Sequence, residues 1–245
     1  MNTGISDLTV IYYTANFINE EFAEKTRDQL IDAMALASVD PFNAKAGIQI
    51  ELISVSQKPM EFGENICVGD IGRSHINIYK QALRGAKAAE TKYIALAEDD
   101  VLYSGEHFTY RPVKTPFAYN VHKWSIFTWS DPPVFSYKNR KVINSLIADR
   151  EAFIEAIEER LEKYPDNEMV GKISWGEPGR HEAALKLKVW DSEIFHSKVP
   201  NIVFSHPDAV GYGHLGKKKA RGFPRLEELP YWGKASRIVE MYKPR

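Results

Sequence analysis

The stretch Lys92-Tyr93-Ile94-Ala95-Leu96-Ala97-Glu98-Asp99-Asp100-Val101 decides how this chain folds. A short apolar segment, of the length and composition of a buried strand, ends abruptly in three adjacent carboxylates. Along an extended chain, residues two apart point the same way. Glu98 and Asp100 are therefore expected to face one point in space, with Asp99 on the other side. Three crowded acids repel one another unless a cation sits among them. Oxygen-only ligands favour a hard divalent ion, Mn²⁺ or Mg²⁺. The expectation is a metal site at the carboxyl edge of a sheet, where open α/β folds place ligands. The plainer alternative is a solvated acidic turn.

Working outward, Leu8–Thr14 is β-branched and aromatic and reads as a first strand. Residues 20–37 place Phe22, Thr26, Leu30, Ala33, Met34 and Ala37 at helical spacing. A second strand is expected over Ile48–Ser56, a loop over Gln57–Gly72 and a second helix over residues 73–89. This β-α-β-α-β order predicts a parallel, Rossmann-like half built by right-handed crossovers. Beyond it, strands are expected at 117–120, 124–129 and 201–205, with helices from the Asp149 cap to Tyr164 and over 179–187.

The chain has 245 residues, 44% of them hydrophobic, which suits one large α/β domain. Its net charge of −1 gives no overall field for nucleic acid or membrane. The charge is uneven, however: residues 197–245 carry 10 Lys/Arg against 4 Asp/Glu. The single Cys67 excludes an intrachain disulfide and is expected to be a small buried residue. The N-terminus lacks the basic and apolar regions of a signal peptide, and no apolar run reaches the length of a membrane span. A cytoplasmic protein is the expectation.

Gly72-Arg73-Ser74, a helix containing Gly85-Ala86-Lys87-Ala88, and then the strand to Glu98-Asp99-Asp100 together resemble the core of GT-A-fold glycosyltransferases, especially the family-two-like group. The chain departs from that pattern with Arg73-Ser74 in place of Arg-Asn and Glu-Asp-Asp in place of Asp-x-Asp. The match covers roughly residues 8–105. The resemblance implies a single GT-A domain over 1–245, with a nucleotide-sugar-binding half (1–105) and a smaller mixed acceptor half (106–245). It implies transfer of a sugar from a nucleotide-sugar donor, a UDP-sugar foremost, to the hydroxyl of a glycan, a small glycoside or a modified DNA base. Thr14 and Asn16 would lie near the donor's base or ribose, and Arg73 near its phosphates. Asp100 would bind the metal directly, with Glu98 on the metal through water or on the ribose, and Asp99 beside the donor.

A departing nucleoside diphosphate builds negative charge, which a divalent metal and nearby cations offset. A late histidine would complete the metal shell: His206, directly after the strand 201–205, or His214. Lys217 and Lys218 follow His214 and would close over the phosphates as part of a lid. Inverting transfer also needs a base. Glu177 is preferred and Glu182 is the alternate, with Trp175 placed to stack on a sugar. For both acids the competing role is a charge favoured at a helix start. Two other functions compete: a sugar nucleotidyltransferase, which the glycine-free Tyr13–Phe17 loop disfavours, and a non-catalytic GT-A-like binding protein.

Overall fold

The computed structural model describes residues 6–40, 49–166, 169–170, 173–174, 176–205 and 224–244. In chain order the strands are β1 (Ser6–Thr14), β2 (Gln49–Ser56), β3 (Glu64–Cys67), β4 (Tyr93–Glu98), β5 (Val101–Leu102), β6 (Phe117–Asn120), β7 (Lys123–Phe127), β8 (Val134–Tyr137) and β9 (Leu146–Asp149). They continue as β10 (Met169–Val170), β11 (Ile173–Ser174), β12 (Ser192–Phe195), β13 (Asn201–Ser205), β14 (Arg225–Leu226), β15 (Glu228–Leu229) and β16 (Gly233–Lys234). The helices are α1 (Glu20–Ser38), α2 (His75–Ala88), α3 (Arg150–Lys163), α4 (Glu182–Leu185) and α5 (Ala235–Tyr242).

Seven strands form the central sheet in the order β12-β6-β9-β4-β1-β2-β3. All neighbours pair in parallel except across β9, which is antiparallel to both β4 and β6. This is a mixed α/β fold with a mostly parallel sheet, as the β-α-β-α-β order requires. Strands β6, β9 and β12 complete the same sheet, so it does not stop at residue 105.

Side-chain alternation along β1 supplies two cores. Leu8, Val10 and Tyr12 pack with Leu30, Ala33, Met34 and Ala37 of α1 on one face. Ile11 and Tyr13 pack with Ile76, Tyr79, Ala82 and Ala86 of α2 and Phe153, Ala156 and Ile157 of α3 on the other. Gly85 lets α2 approach closely, because a Cβ there would lie 2.4 Å from Ile11 Cγ2. Side chains cap the three long helices: Asn19 accepts from Phe22 N, Ser74 from Asn77 N and Asp149 from Ala152 N. Ser74, the departure from the Arg-Asn pattern, thus starts α2.

A second sheet, in the order β14-β8-β7-β13-β5, encloses a third core of Leu102, Trp124, Ile126, Phe135, Ile202 and Phe204, closed by Phe22 and Ile238. The chain steps from the first sheet to the second between β4 and β5, through the turn Asp99–Asp100. That turn is tied down by its backbone: Asp99 O accepts from Thr26 Oγ1 at 3.0 Å, and Asp100 O accepts from Phe204 N at 2.9 Å.

Several expectations change. The loop expected over 57–72 contains β3, a short edge strand whose polar sequence carries little apolar alternation. Cys67 ends that strand and is exposed, not buried. The helix expected over 179–187 contracts to Glu182–Leu185, because Pro178 and Gly179 form a turn before it and Lys186 ends it in a left-handed conformation.

Candidate functional site

The strand order reverses between β1 and β4: from β1 the chain proceeds outward to β2 and β3, and β4 then lies on β1's other side. The crevice at the carboxyl ends of such a pair is where open α/β sheets bind ligands. Thr14 ends β1 and Glu98 ends β4. Across the crevice Thr14 Oγ1 donates to Asp99 Oδ2 and accepts from Asn16 N at 2.9 Å. Burial pushes the Asp99 carboxyl up to about 6, with Glu98 adding to the rise and the Thr14 hydrogen bond opposing it.

Asn16 has a φ of 54°, and its Oδ1 accepts from Gln57 N and Lys58 N, both at 2.9 Å. The side chain expected near a nucleoside ties the β1 loop to the end of β2 through its oxygen. Gln57 in turn bonds Gly72 O at 2.9 Å, and Gln81 of α2 bonds the carbonyls of Thr14 and Val55, each at 2.8 Å. Arg73 stands just before α2 with its guanidinium 4.8 Å from the centre of the exposed Phe17 ring. The β1 loop and the start of α2 thus meet in an exposed cation–aromatic pair.

Because Asp99 and Asp100 form a turn, strand alternation does not strictly apply to them. The separation of the acids still follows it. Glu98 and Asp100 act on the same neighbours, Tyr103 and Lys123, whereas Asp99 acts on Tyr12 and holds Thr14. Glu98 Oε1 accepts from Tyr13 Oη at 2.8 Å and its Oε2 from Asn144 Nδ2 at 2.5 Å. Both oxygens accept from the chain itself, which ties Glu98 into the frame of the crevice.

Behind Glu98 lies a cation that sequence reasoning missed. Lys123 of β7 is buried, and its ammonium donates to Asn144 Oδ1 at 3.0 Å. Burial and nearby Arg140 press its pKa down to about 7, against the pull of Glu98, Glu177 and Asp100. The available signal was a lysine lying between the two strand-like segments 117–120 and 124–129.

Among the described residues no three His, Cys, Asp or Glu side chains converge on one point, so they offer no all-protein metal cage. A hard divalent cation that takes most of its ligands from a diphosphate and water needs only one or two carboxylates. Asp100, an oxygen donor just past β4, fits that open kind of site, whereas Asp99 is held by Thr14. His206, His214, Lys217, Lys218 and Trp175 lie outside the described residues.

The two base candidates sit in contrasting places. Glu182 is 2% exposed and pairs with the fully buried Arg160. It also accepts from the backbone N–H groups of Gly179 and Arg180. Glu182 therefore anchors the turn before α4 and cannot reach a substrate. That turn is held from every side: Tyr119 Oη bonds Pro178 O at 2.6 Å, Arg160 Nε bonds Gly176 O at 3.1 Å, and Ser192 Oγ bonds Gly179 O at 2.8 Å. Gly179 has a φ of +76°, and a Cβ there would lie 2.4 Å from Ser192 Cβ. Glu177 projects from this fixed turn, with its Oε2 accepting from Arg180 Nη1 at 2.9 Å. Its charge is felt by Lys123 and Tyr79, which also feel Glu98.

No protein-family model matches the sequence, and no curated protein is similar to it. Solved structures are similar in fold. A Streptococcus pneumoniae glycosyltransferase, GlyE, is 8% identical with a TM-score of 0.49, over 89% of this chain and 50% of that one. A Drosophila β-1,4-galactosyltransferase 7 mutant, in complex with manganese, UDP-Gal and xylobiose, is 12% identical with a TM-score of 0.37, over 61% of this chain and 51% of that one. A Methanothermobacter nucleotidyl transferase is 11% identical with a TM-score of 0.41, over 79% of this chain and 88% of that one. This chain thus spans about half the length of the two glycosyltransferases. At these superpositions the likenesses carry no argument about activity.

Proposed function

We propose that this chain is a nucleotide-sugar-dependent glycosyltransferase that acts with inversion at the crevice between β1 and β4. One observation carries the reading: an acid turn lies at the switch point, and a separate carboxylate, Glu177, is held on an independently fixed turn. Crevices at such switch points suit nucleotides, and a separately positioned carboxylate suits a base.

The donor's diphosphate lies against the Asp99–Asp100 turn, with its nucleoside toward the β1 loop and the Phe17–Arg73 pair. Asp100 would hold a Mn²⁺ or Mg²⁺ ion, which would supply Lewis-acid stabilisation of the departing diphosphate. The Lys123 ammonium adds positive potential on the opposite side of Glu98. Glu177 removes the proton from the acceptor hydroxyl as that oxygen bonds to the anomeric carbon. The bond from that carbon to the phosphate oxygen breaks, and its electron pair leaves with the nucleoside diphosphate. Arg180 keeps the Glu177 carboxylate aimed through the 2.9 Å contact.

The test is a panel of UDP- and GDP-sugars incubated with the protein, Mn²⁺ and mixed glycoside acceptors. Release of nucleoside diphosphate that is lost in Glu177→Gln supports the reading. Release of pyrophosphate from a nucleoside triphosphate and a sugar phosphate would assign the crevice to nucleotidyl transfer instead.

A further inference from the structure

Positive charge is crowded beside Glu177. Arg180 contacts its carboxylate at 2.9 Å, and the same Arg180 Nη1 reaches Lys141 O at 3.2 Å. Lys141 Nζ bonds Ser192 Oγ at 2.5 Å on the edge of the same turn, 5.9 Å from the centre of the Tyr119 ring. Arg140 precedes it, close enough that its guanidinium interacts with both Glu177 and Arg180. On the crevice side the buried Lys123 ammonium interacts with Arg140 and Glu177. Glu182, the other carboxylate of this turn, is consumed by Arg160.

The cluster therefore sets Arg140, Lys141 and Arg180 around the Glu177 carboxylate, with the Arg160-paired Glu182 also felt by Lys141. Like charges held this close repel unless an anion sits among them. The groups register that repulsion. Arg140 keeps exposed surface, yet desolvation lowers its pKa and Arg180 lowers it further, with Glu177 opposing. Lys141 is lowered by desolvation and then by Arg180, with Glu182 opposing. The β4 edge already provides for the donor's diphosphate, whereas this cluster surrounds the proposed base.

We propose that Arg140, Lys141 and Arg180 form a subsite for an oxyanion on the acceptor, so that the acceptor is a sugar bearing a carboxylate or a phosphate. The inference rests on the assignment of Glu177 as the acceptor's base. Arginine and lysine suit the two sources alike: the guanidinium fork matches a carboxylate or a phosphate face, and the ammonium acts as a point charge. The acceptor's oxyanion then orients its neighbouring hydroxyl on Glu177.

The experiment measures binding of methyl β-glucuronide, glucose 6-phosphate and the neutral methyl β-glucoside by calorimetry, with and without saturating UDP and Mn²⁺. The glucuronide or the phosphate should bind at least about tenfold more tightly than the glucoside, and which of them does so names the source of the oxyanion. In Arg140→Gln, a surface change that leaves the fold intact, that preference should fall below about threefold while the UDP dissociation constant moves less than twofold. Lys141→Gln should act in the same direction. Equal binding of charged and neutral sugars would overturn the proposal. So would an Arg140→Gln protein that loses UDP affinity and keeps its sugar preference, since the cluster would then serve the donor. Failure of UDP to bind at all would instead count against the transferase reading, and the comparison without UDP would still decide the charge preference.

Discussion

Asn144 Nδ2 donates to Glu98 Oε2 at 2.5 Å, and Asn144 Oδ1 accepts from the buried Lys123 ammonium at 3.0 Å. One amide thus links an acid at the end of the central sheet to a cation in the second sheet. Tyr103 closes the network: its hydroxyl accepts from Glu98 N and donates to Asn144 O, each at 3.1 Å. A buried polar network is stable only while each member is satisfied. Asn144→Ala leaves an ammonium and a carboxylate oxygen unpaired in a tight interior. The expected loss is about 2–4 kcal/mol of folding stability, measured by urea unfolding. A loss under about 0.5 kcal/mol would mean that water replaces the amide.

Glu182 and Glu177 should separate cleanly. Glu182→Gln breaks a buried ion pair with Arg160 and loosens the turn that both residues serve. It should cost about 3 kcal/mol or more in urea unfolding.

Glu177→Gln keeps shape and leaves Arg180 an acceptor. Stability should change by less than about 1 kcal/mol, while the rate of nucleoside diphosphate release falls by about 10²–10⁴-fold. Equal rates in the variant and the parent protein would remove Glu177 from the reaction.

His107 gives the fold a pH dependence. It is fully buried among Tyr103, Phe108 and Phe195, its Nδ1 lies 3.4 Å from Asn120 Nδ2, and its Nε2 has no hydrogen-bond partner among the described residues. Burial, with Lys123 adding to it, lowers its pKa from 6.5 to about 3. Between those values the unfolded chain binds a proton that the folded chain refuses. Stability from this group is therefore complete above pH 6.5 and drains away as pH falls toward 3. The loss over that window is on the order of 3–5 kcal/mol. In His107→Phe the slope of unfolding free energy against pH should flatten between pH 6.5 and 4. An unchanged slope would place the acid sensitivity elsewhere.

The fold was legible where periodicity was long. Nineteen residues of α1 and the run Tyr93–Glu98 carry unbroken patterns, and both appear nearly as expected. The four-residue strands β3, β9 and β12 did not show, because such short strands are defined by partners far away in sequence. Leu146–Asp149, for instance, becomes a strand only between β4 and β6. The site divided in the same manner. The acid turn is local, so a turn of acids after the strand could be read from sequence. Lys123, Asn144 and Gln81 matter through contacts 21 to 67 residues away, and single-sequence spacing holds no trace of those. Glu98 illustrates the limit: the sequence shows an acid beside two acids, whereas its partners Tyr13 and Asn144 are 85 and 46 residues distant.

The most direct measurement is calorimetric and thermal-shift titration of UDP, GDP, CDP and ADP, each with and without Mn²⁺, against the parent protein and Asp100→Asn. One nucleoside diphosphate with Mn²⁺ should stabilise the parent by about 2.7 kcal/mol at 100 times its dissociation constant. The Mn²⁺-dependent part of that gain should vanish in Asp100→Asn. Absence of binding by all four nucleotides, or an equal Mn²⁺-dependent gain in the variant, would contradict a nucleotide site at the Asp99–Asp100 turn.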